Sequence, residues 1–410
     1  MKKMIVLVAA ILCVAMVFVS CTSTPAASSA PASSAAASSA APASSAAASS
    51  AAPASSEAAA PAASADYSKA MNKSIGYVLS GPDIYYQQSF AVFEGLAKDL
   101  NWTITKTTSD YDVKKETNNV QDMIAKKVDA IVLNDVTCDN GAACAKLAND
   151  ANIPIFFITT LPDLDGVGKP TASCSGPWYQ DGINAATWLL PKAKDPKNPK
   201  FVLIEGAYGQ STIELQRLGF LTYLSEQLGK TVEEVFNENI VYNQTGGWMT
   251  DTALTVMQDA MAKTGGDFDG IYVGNEAMAN GVIKALQATG KDYPIATENG
   301  YEETFAAMKA DPSMNMMVDS IPSTAEGDLV FQQVRAYFCG IDFPKHVKCP
   351  IQSITTENVA TANPLPYKDA DAYIALAKAG KTVDLMKTKD TSSENPDWRS
   401  MLPLNGAHSK

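Results

Sequence analysis

Histidine is nearly absent from this 410-residue chain, which contains only His346 and His408. Both stand far in sequence from other metal-binding groups, and histidine catalysis or a zinc site requires such groups in combination. The sequence also brings together no nucleophile, base and orienting residue. We therefore expect no enzyme activity, no metal site and no cofactor.

Positive charge is scarce as well. The chain has 32 Lys and Arg against 44 Asp and Glu, which gives a net charge of -12. Nucleic acid is excluded as a partner, because phosphate binding requires a basic face. The turn GAYGQST, residues 206–212, also lacks the Gly-Lys-Ser/Thr ending of a nucleotide-binding P-loop.

Residues 1–20 have the form of a secretory signal peptide. Two lysines precede an apolar run of about 16 residues, which is short for a bilayer core about 30 Å thick. The run ends in FVSC, which resembles the lipobox of bacterial lipoproteins. The resemblance implies that Cys21 is lipidated, so we expect an exported protein that is lipid-anchored to a membrane and faces the periplasm or cell exterior.

An Ala/Ser/Pro-rich segment follows, so that residues 21–66 comprise the lipidated cysteine and a tether. The segment has no apolar periodicity and nothing to bury, as is typical of a linker. A flexible coil of about 45 residues has a root-mean-square reach of roughly 35 to 40 Å. We expect it to hold a folded body away from the membrane.

Beyond Lys73 the chain alternates short β-branched runs with amphipathic stretches of about a dozen residues. This alternation is typical of βαβ units around a parallel sheet. It forms two successive series, the first starting with SIGYVL and the second ending with NMMVDSI. A body of about 340 residues exceeds one ordinary core. We predict an α/β fold of two doubly wound parallel-sheet lobes, joined by a multi-strand hinge, with a ligand cleft between them.

Polar and aromatic residues recur where the strands of both series end. Ligands of doubly wound sheets bind beyond the carboxyl ends of the strands, so these residues are candidates for binding a small polar molecule. The first group lies in SGPDIYYQQSF, residues 80–90. The candidate ligand-binding residues are Ser80, Asp83, Tyr85, Tyr86, Asn134, Asp135, Thr159, Thr160, Gln210, Glu214, Trp248, Asn275, Asn299 and Asp319.

Several segments in order resemble the type I periplasmic solute-binding proteins of ABC importers, in particular their ribose-binding-like sugar branch. They include SGPDIYYQQSFAVFEGL, VQDMIAKKVDAIVLN, GNEAMANGVIKALQATGK and PIATENG, and the resemblance extends from residue 73 to about 360. It implies a monomeric receptor that closes over a sugar or sugar-like ligand and delivers it to a permease and its ATPase.

The resemblance also implies roles for single residues. Tyr85, Tyr86 and Trp248 match aromatic residues that lie against a sugar ring, whose axial C–H groups form an apolar face. Asn134 and Asn275 match asparagines that bind hydroxyl groups. We expect the N-terminal lobe to comprise residues 73–175 and 321–350, and the C-terminal lobe residues 176–320 and 351–365. Residues 366–410 form a C-terminal extension outside the resemblance, and we expect Trp398 to dock it on the body.

The charged residues differ from those of the sugar branch. Thr159 and Thr160 replace an Asp-Arg pair, Glu214 replaces an arginine, and Asn299 replaces an aspartate. The acidic residues near the cleft in sequence position are Asp83, Asp135, Glu214, Glu298 and Asp319. Acidic residues beside an aromatic cage favour a cationic ligand. A cationic or nucleoside-like ligand is therefore an alternative to a sugar, and a sensory or chemotaxis receptor of the same fold is an alternative to a transport role.

Five cysteines remain beyond Cys13 in the leader and Cys21. Disulfides form in exported proteins, and Cys339 and Cys349, which flank CGIDFPKHVKC, are candidates for one. The other three share one bond at most, and the sequence does not choose the pair among Cys138, Cys144 and Cys174.

Overall fold

The computed structural model describes residues 66–162 and 167–394. The predicted signal peptide, the lipidated Cys21, nearly all of the tether and Trp398 lie outside the described residues. Within the described ranges, no helix is both long enough and apolar enough to span a bilayer.

The body alternates strands and helices along the chain. The strands are β1 (Ser74–Leu79), β2 (Thr103–Thr108), β3 (Ala130–Leu133), β4 (Ile155–Thr159), β5 (Ala172–Ser175), β6 (Phe201–Glu205), β7 (Ile240–Thr245), β8 (Gly270–Val273), β9 (Ile295–Asn299), β10 (Met316–Ser320), β11 (His346–Lys348) and β12 (Gln352–Thr355). The α-helices are α1 (Ile84–Ala97), α2 (Val113–Ala125), α3 (Cys138–Asp150), α4 (Trp178–Leu189), α5 (Ser211–Leu228), α6 (Val232–Asn239), α7 (Thr250–Thr264), α8 (Glu276–Gln287), α9 (Glu302–Ala310), α10 (Ser323–Cys339) and α11 (Ala370–Lys378).

These strands form two six-stranded sheets. The first has the order β11-β5-β4-β3-β1-β2 and is parallel throughout. The second has the order β12-β10-β9-β8-β6-β7, and only its edge strand β12 runs antiparallel, to β10. Each sheet reverses its strand order at one interior strand, so the predicted fold of two doubly wound parallel-sheet lobes is confirmed. We call the lobe around the first sheet lobe 1 and the other lobe 2.

The inner strands are apolar because helices cover both faces of each sheet. Every residue of β6, FVLIE, is buried, and β1 is buried except at its first residue. The edge strand β2, TITKTT, has no buried residue, because an edge strand is exposed on one side. The chain passes between the sheets after β5, after β10 and after β11, and these crossings form the hinge.

Hydrogen bonds hold the two lobes in a closed arrangement. The backbone N–H of Cys138 in lobe 1 donates to the carbonyl of Gly209 in lobe 2 at 2.9 Å. The N–H of Leu161 donates to the Ser211 hydroxyl at 2.7 Å, at the start of α5. The carboxyl ends of the two sheets therefore face each other across a narrow gap.

The disulfide suggested for Cys339 and Cys349 is absent, since neither thiol is bonded in the part of the chain that is described. Helix α10 ends at Cys339, and β11 then runs parallel to β5 before Cys349. The N–H of Cys349 donates to the carbonyl of Ser175, at the carboxyl end of β5, at 2.9 Å. Cys339 lies beside Ala70, which precedes β1, so the two cysteines lie at opposite ends of the strands. Cys138, Cys144 and Cys174 are also free thiols within the described residues.

Candidate functional site

A cavity lies between the lobes at the carboxyl ends of both sheets. In this closed arrangement it is narrow: the volume open to a sphere of water size is about 20 Å³, which is room for about one water molecule. Its lining residues are Asp83, Tyr85, Tyr86, Thr159, Trp178, Thr212, Trp248, Asn275, Glu298 and Asn299.

The wall from lobe 1 is built on the first turn of α1. Asp83 caps this helix, and its carboxylate accepts the backbone N–H of Tyr85 at 2.7 Å. Such a cap fixes the start of a helix and here directs Tyr85 and Tyr86 into the cavity. Their ring centroids are 6.2 Å apart at an interplanar angle of 76°, so the two rings meet edge to face.

The opposite wall is the indole of Trp248 in lobe 2. Its Nε1–H donates to Gln210 Oε1 at 2.8 Å, and the side chain is 5% exposed. The ring lies against Gly206, where a Cβ atom would come within 2.0 Å of Cζ2. Only glycine fits at position 206 beneath the ring. The hydrogen bond to Gln210 fixes the direction of the indole N–H.

Two further lining residues begin helices of lobe 2. Trp178 starts α4 directly after the crossing from β5, and its Nε1–H donates to the carbonyl of Thr159 at 2.9 Å. Its ring centroid is 6.1 Å from that of Tyr85. Thr212 lies in the first turn of α5 and is 4% exposed, and its hydroxyl has no hydrogen-bond partner among the described residues. Because Thr212 also lines the cavity, its hydroxyl is available to bond a ligand atom there.

The ionisable groups that line the cavity are acidic, because no Lys, Arg or His is among its lining residues in the described part of the chain. Burial raises the pKa of Asp83 to about 6, against the lowering effect of the Tyr85 N–H. Burial also raises the pKa of Glu298 well above its usual range, and the nearby carboxyl groups of Asp181 and Glu276 add to this. A carboxyl group that holds its proton can donate a hydrogen bond as well as accept one. The raised pKa values therefore favour a form of each group that can do both with ligand hydroxyl groups.

Glu298 has a neighbour that orients it. With the Asn299 amide in the orientation that satisfies its surroundings, its nitrogen donates to Glu298 Oε2 at 2.5 Å. The amide oxygen then accepts the Tyr367 hydroxyl at 3.2 Å. The carboxylate is therefore held in place at the cavity wall.

The structure brings half of the candidate residues to the cavity and places the others behind it. The candidates that line it are Asp83, Tyr85, Tyr86, Thr159, Trp248, Asn275 and Asn299. In lobe 1 the remaining candidates bond to one another: the Ser80 backbone N–H donates to Asn134 Oδ1 at 3.2 Å, and the Asn134 amide donates to Thr160 Oγ1 at 3.3 Å. The Thr160 hydroxyl in turn donates to the Asp135 carboxylate. These four residues form a supporting layer.

The remaining candidates in lobe 2 are also engaged within the protein. Gln210 accepts the indole N–H of Trp248. Glu214 forms an ion pair with Arg217, which also donates to both carboxylate oxygens of Glu205 at 3.0 and 2.9 Å. Asp319 accepts the Asn184 amide at 2.9 Å. These residues hold the wall rather than form it.

The sequence did not identify Trp178 or Thr212 as site residues. It gave Glu298 only as one of the acidic residues near the cleft. A signal for the first two was present, since Trp178 follows the end of β5 and Thr212 ends the glycine-containing turn after β6. Both positions begin helices that point at the cleft.

Two facing α/β lobes with a closed, aromatic and polar cavity define a bilobal binding protein. Residues 75–341, more than half of the chain, match the periplasmic binding protein domain family, and the chain belongs to this family. The resemblance to periplasmic solute-binding proteins that the sequence motifs indicated is therefore confirmed.

Relatives and solved structures support this membership. The chain is 28% identical over 200 residues to a Rhizobium meliloti protein assigned to rhizopine binding, and the match covers 48% of this chain and 62% of that protein. It is 23% identical over 256 residues to the ribose import binding protein of Bacillus subtilis, covering 62% and 78% of the two chains. A Mycobacterium smegmatis protein in complex with β-D-fucofuranose has the same fold, with a TM-score of 0.64 at 17% identity, over 74% of this chain and 98% of that chain.

Proposed function

We propose that this protein is an extracytoplasmic receptor, without catalytic activity, that captures a small sugar or sugar-like polyol and delivers it to an ABC permease and its ATPase. The observation that carries the proposal is the interlobe cavity, in which aromatic rings from both lobes alternate with hydroxyl, amide and carboxyl groups. The names of the relatives, among them the ribose import binding protein, support the same ligand class.

The lining suits a molecule with apolar faces and polar edges. A sugar ring offers C–H groups that pack on aromatic faces, and Tyr85, Tyr86 and Trp248 supply such surfaces. Its hydroxyl groups require both donors and acceptors. Thr212 supplies a hydroxyl, and Asn275 supplies an amide nitrogen, since its Oδ1 already accepts the N–H of Met278 at 2.8 Å.

Closure of the lobes is the step that couples binding to delivery. A ligand shifts a conformational equilibrium only if it makes contacts in one state that the other lacks. A sugar bridging Tyr85 in lobe 1 and Trp248 in lobe 2 makes such contacts only in the closed form. The Cys138–Gly209 and Leu161–Ser211 bonds add to the stability of that form. We expect a permease to recognise the closed surface.

The anchoring and the domain limits belong to the same proposal. A receptor tethered through a lipid on Cys21 remains near its permease, within the reach of the tether. The lobes comprise residues 73–175 with 321–350 and residues 176–320 with 351–365, and the protein acts as a monomer.

A thermal-shift screen tests the ligand class. A ligand present at 100 times its dissociation constant stabilises the folded state by about 2.7 kcal/mol. The panel contains D-ribose, D-fructose, D-galactose, xylitol and myo-inositol, with amines and nucleosides as competing classes. Calorimetric titration of the parent and of Trp248→Ala then locates binding at the cavity. Trp188→Ala is the control variant, because Trp188 packs in lobe 2 and is not a lining residue.

The outcomes separate the alternatives. Stabilisation by a sugar or polyol that is lost in Trp248→Ala and kept in Trp188→Ala supports the proposal. Stabilisation by amines or nucleosides alone contradicts it and favours the cationic or nucleoside-like ligand, for which the acidic lining is the specific observation. Copurification of the membrane-anchored protein with a chemoreceptor in place of a permease favours the sensory role.

A further inference from the structure

Residues 366–394, which lie within the predicted C-terminal extension and beyond the family match to residues 75–341, run from lobe 2 back across lobe 1. It begins at α9 of lobe 2, where the backbone N–H groups of Tyr367 and Lys368 donate to Glu302 Oε1 at 2.7 and 3.0 Å. Helix α11 then packs against α1 and α10 of lobe 1, and Lys378 pairs with Asp99 at 2.8 Å. The segment is therefore a fourth connection between the lobes.

The contacts with lobe 1 continue beyond α11. Thr382 donates to Asp328 Oδ2 at 2.9 Å, and the backbone N–H of Leu385 donates to Gln332 Oε1 at 3.0 Å. Leu385 is 1% exposed. Buried apolar contacts together with satisfied backbone groups are the features of a docked element.

Tyr367 lies directly behind the cavity although it does not line it. The side chain is fully buried, and its ring centroid is 5.9 Å from that of Tyr85 and 4.9 Å from that of Tyr301. With the Asn299 amide in the orientation described above, its oxygen accepts the Tyr367 hydroxyl at 3.2 Å. One side chain thus contacts a cavity residue of lobe 1, Tyr85, and a cavity residue of lobe 2, Asn299.

These contacts constrain the two residues differently. The ring of Tyr85 has Tyr86, Trp178 and Tyr367 as its aromatic neighbours, so Tyr367 supplies one of the surfaces that fix its rotamer. The Tyr367 hydroxyl holds the Asn299 amide in the orientation in which it donates to Glu298. Removing the Tyr367 side chain therefore loosens both the ring of Tyr85 and the carboxyl group of Glu298.

We infer that Tyr367 is a positioning residue of the interlobe site, and that residues 366–385 are part of the binding apparatus. The segment docks on lobe 1 through α11 and carries Tyr367 to the junction of the lobes. Removing the ring of Tyr367 changes the cavity wall, whereas weakening the docking of α11 elsewhere does not.

The test compares two equally buried tyrosines of the same segment in protein labelled with 5-fluorotryptophan. Tyr373 is also fully buried, and its hydroxyl bonds Asp328 at 3.3 Å, away from the cavity. The ¹⁹F resonance of Trp178, identified with a Trp178→Phe variant, reports the cavity wall because Trp178 contacts Tyr85. In ligand-free protein, Tyr367→Ala should move or broaden this resonance by more than its linewidth, and Tyr373→Ala should leave it in place. Tyr367→Phe, which keeps the ring, should restore it.

Titration with D-ribose and myo-inositol adds an affinity readout that rests on the proposed function. Side chains that act on a site without touching the ligand typically change affinity by roughly 2- to 30-fold, so we expect Tyr367→Ala to bind about tenfold more weakly and Tyr373→Ala to match the parent. The fluorine measurement needs no ligand, so it decides the inference even if neither compound binds. An unchanged Trp178 resonance in Tyr367→Ala, or equal changes in both alanine variants, overturns it. If Tyr367→Ala does not fold, Tyr367→Leu, which keeps the apolar volume, takes its place under the same criteria.

Discussion

Replacing Thr212 by valine is expected to change affinity and stability in opposite directions. The Thr212 hydroxyl is buried at the cavity and has no partner within residues 66–162 and 167–394. A buried hydroxyl without a hydrogen bond costs about 1 to 3 kcal/mol of folded-state stability. Valine has the same shape with a methyl group in place of the hydroxyl, so the variant removes the cost without opening a cavity.

The magnitudes follow from that substitution. The ligand-free variant should gain about 1 kcal/mol of stability, which corresponds to a melting temperature roughly 1 to 3 °C higher for a body of this size. If the hydroxyl bonds a sugar, binding loses one hydrogen bond, worth about 0.5 to 1.5 kcal/mol, and affinity falls about threefold to tenfold. An ordinary packing position would not combine these two effects.

Thr297→Val is the matched control. Thr297 lies in β9, is fully buried, and its hydroxyl also lacks a partner in the described part of the chain, yet it is not a lining residue. This variant should gain similar stability with unchanged affinity. Scanning calorimetry without ligand and titration with the sugar identified by thermal shift give the two quantities. A loss of stability in Thr212→Val, or an affinity equal to that of Thr297→Val, would show that the Thr212 hydroxyl does not bond the ligand.

Three other predictions concern the wall, the buried acids and the anchor. Trp248→Ala should weaken sugar binding by about 2 to 4 kcal/mol and reduce the ligand-induced compaction seen by small-angle scattering, and unchanged affinity would mean ordinary packing. Burial raises the pKa of both Asp135 and Glu276 to about 7, so the folded protein holds protons that the unfolded chain has lost. Ligand-free stability should therefore fall as pH rises from about 4 to 8, and a melting temperature that rises over this range would contradict the burial of these groups. Cys21→Ser should release the protein to the soluble fraction, since each buried CH₂ of an acyl chain contributes about 0.8 kcal/mol, and membrane retention without fatty-acid labelling would exclude the lipid anchor.

The fold was predictable because strand and helix patterns repeat with clear boundaries. Runs such as FVLIE and SIGYVL are apolar except at one terminal residue, as expected of strands covered on both faces. A short segment of sequence does not indicate in which direction its strand runs within the sheet. The loop CGIDFPKHVKC suggested a disulfide because it is short, whereas a parallel strand within it, β11, carries Cys349 away from Cys339 to the carboxyl end of β5.

The site was predictable as a region but not residue by residue. Sequence position places a side chain at a sheet edge, yet it does not say which polar groups satisfy one another. Asn134 follows β3 as expected, but its amide is engaged with Thr160 and with the carbonyl of Ile158, behind the cavity. Trp178 lies in the cavity because the chain crosses between lobes immediately before it, and a crossing point is a property of the tertiary fold.

The main-chain bond between Cys138 and Gly209 has a consequence for the divergence of such receptors. Its donor and acceptor are backbone groups, so any residue other than proline at position 138 retains the donor. The side chains that meet the ligand are different residues and are free to vary. Specificity and closure are therefore separable traits, and a new ligand preference can arise through substitutions in the cavity while the same pair of backbone groups continues to close the lobes.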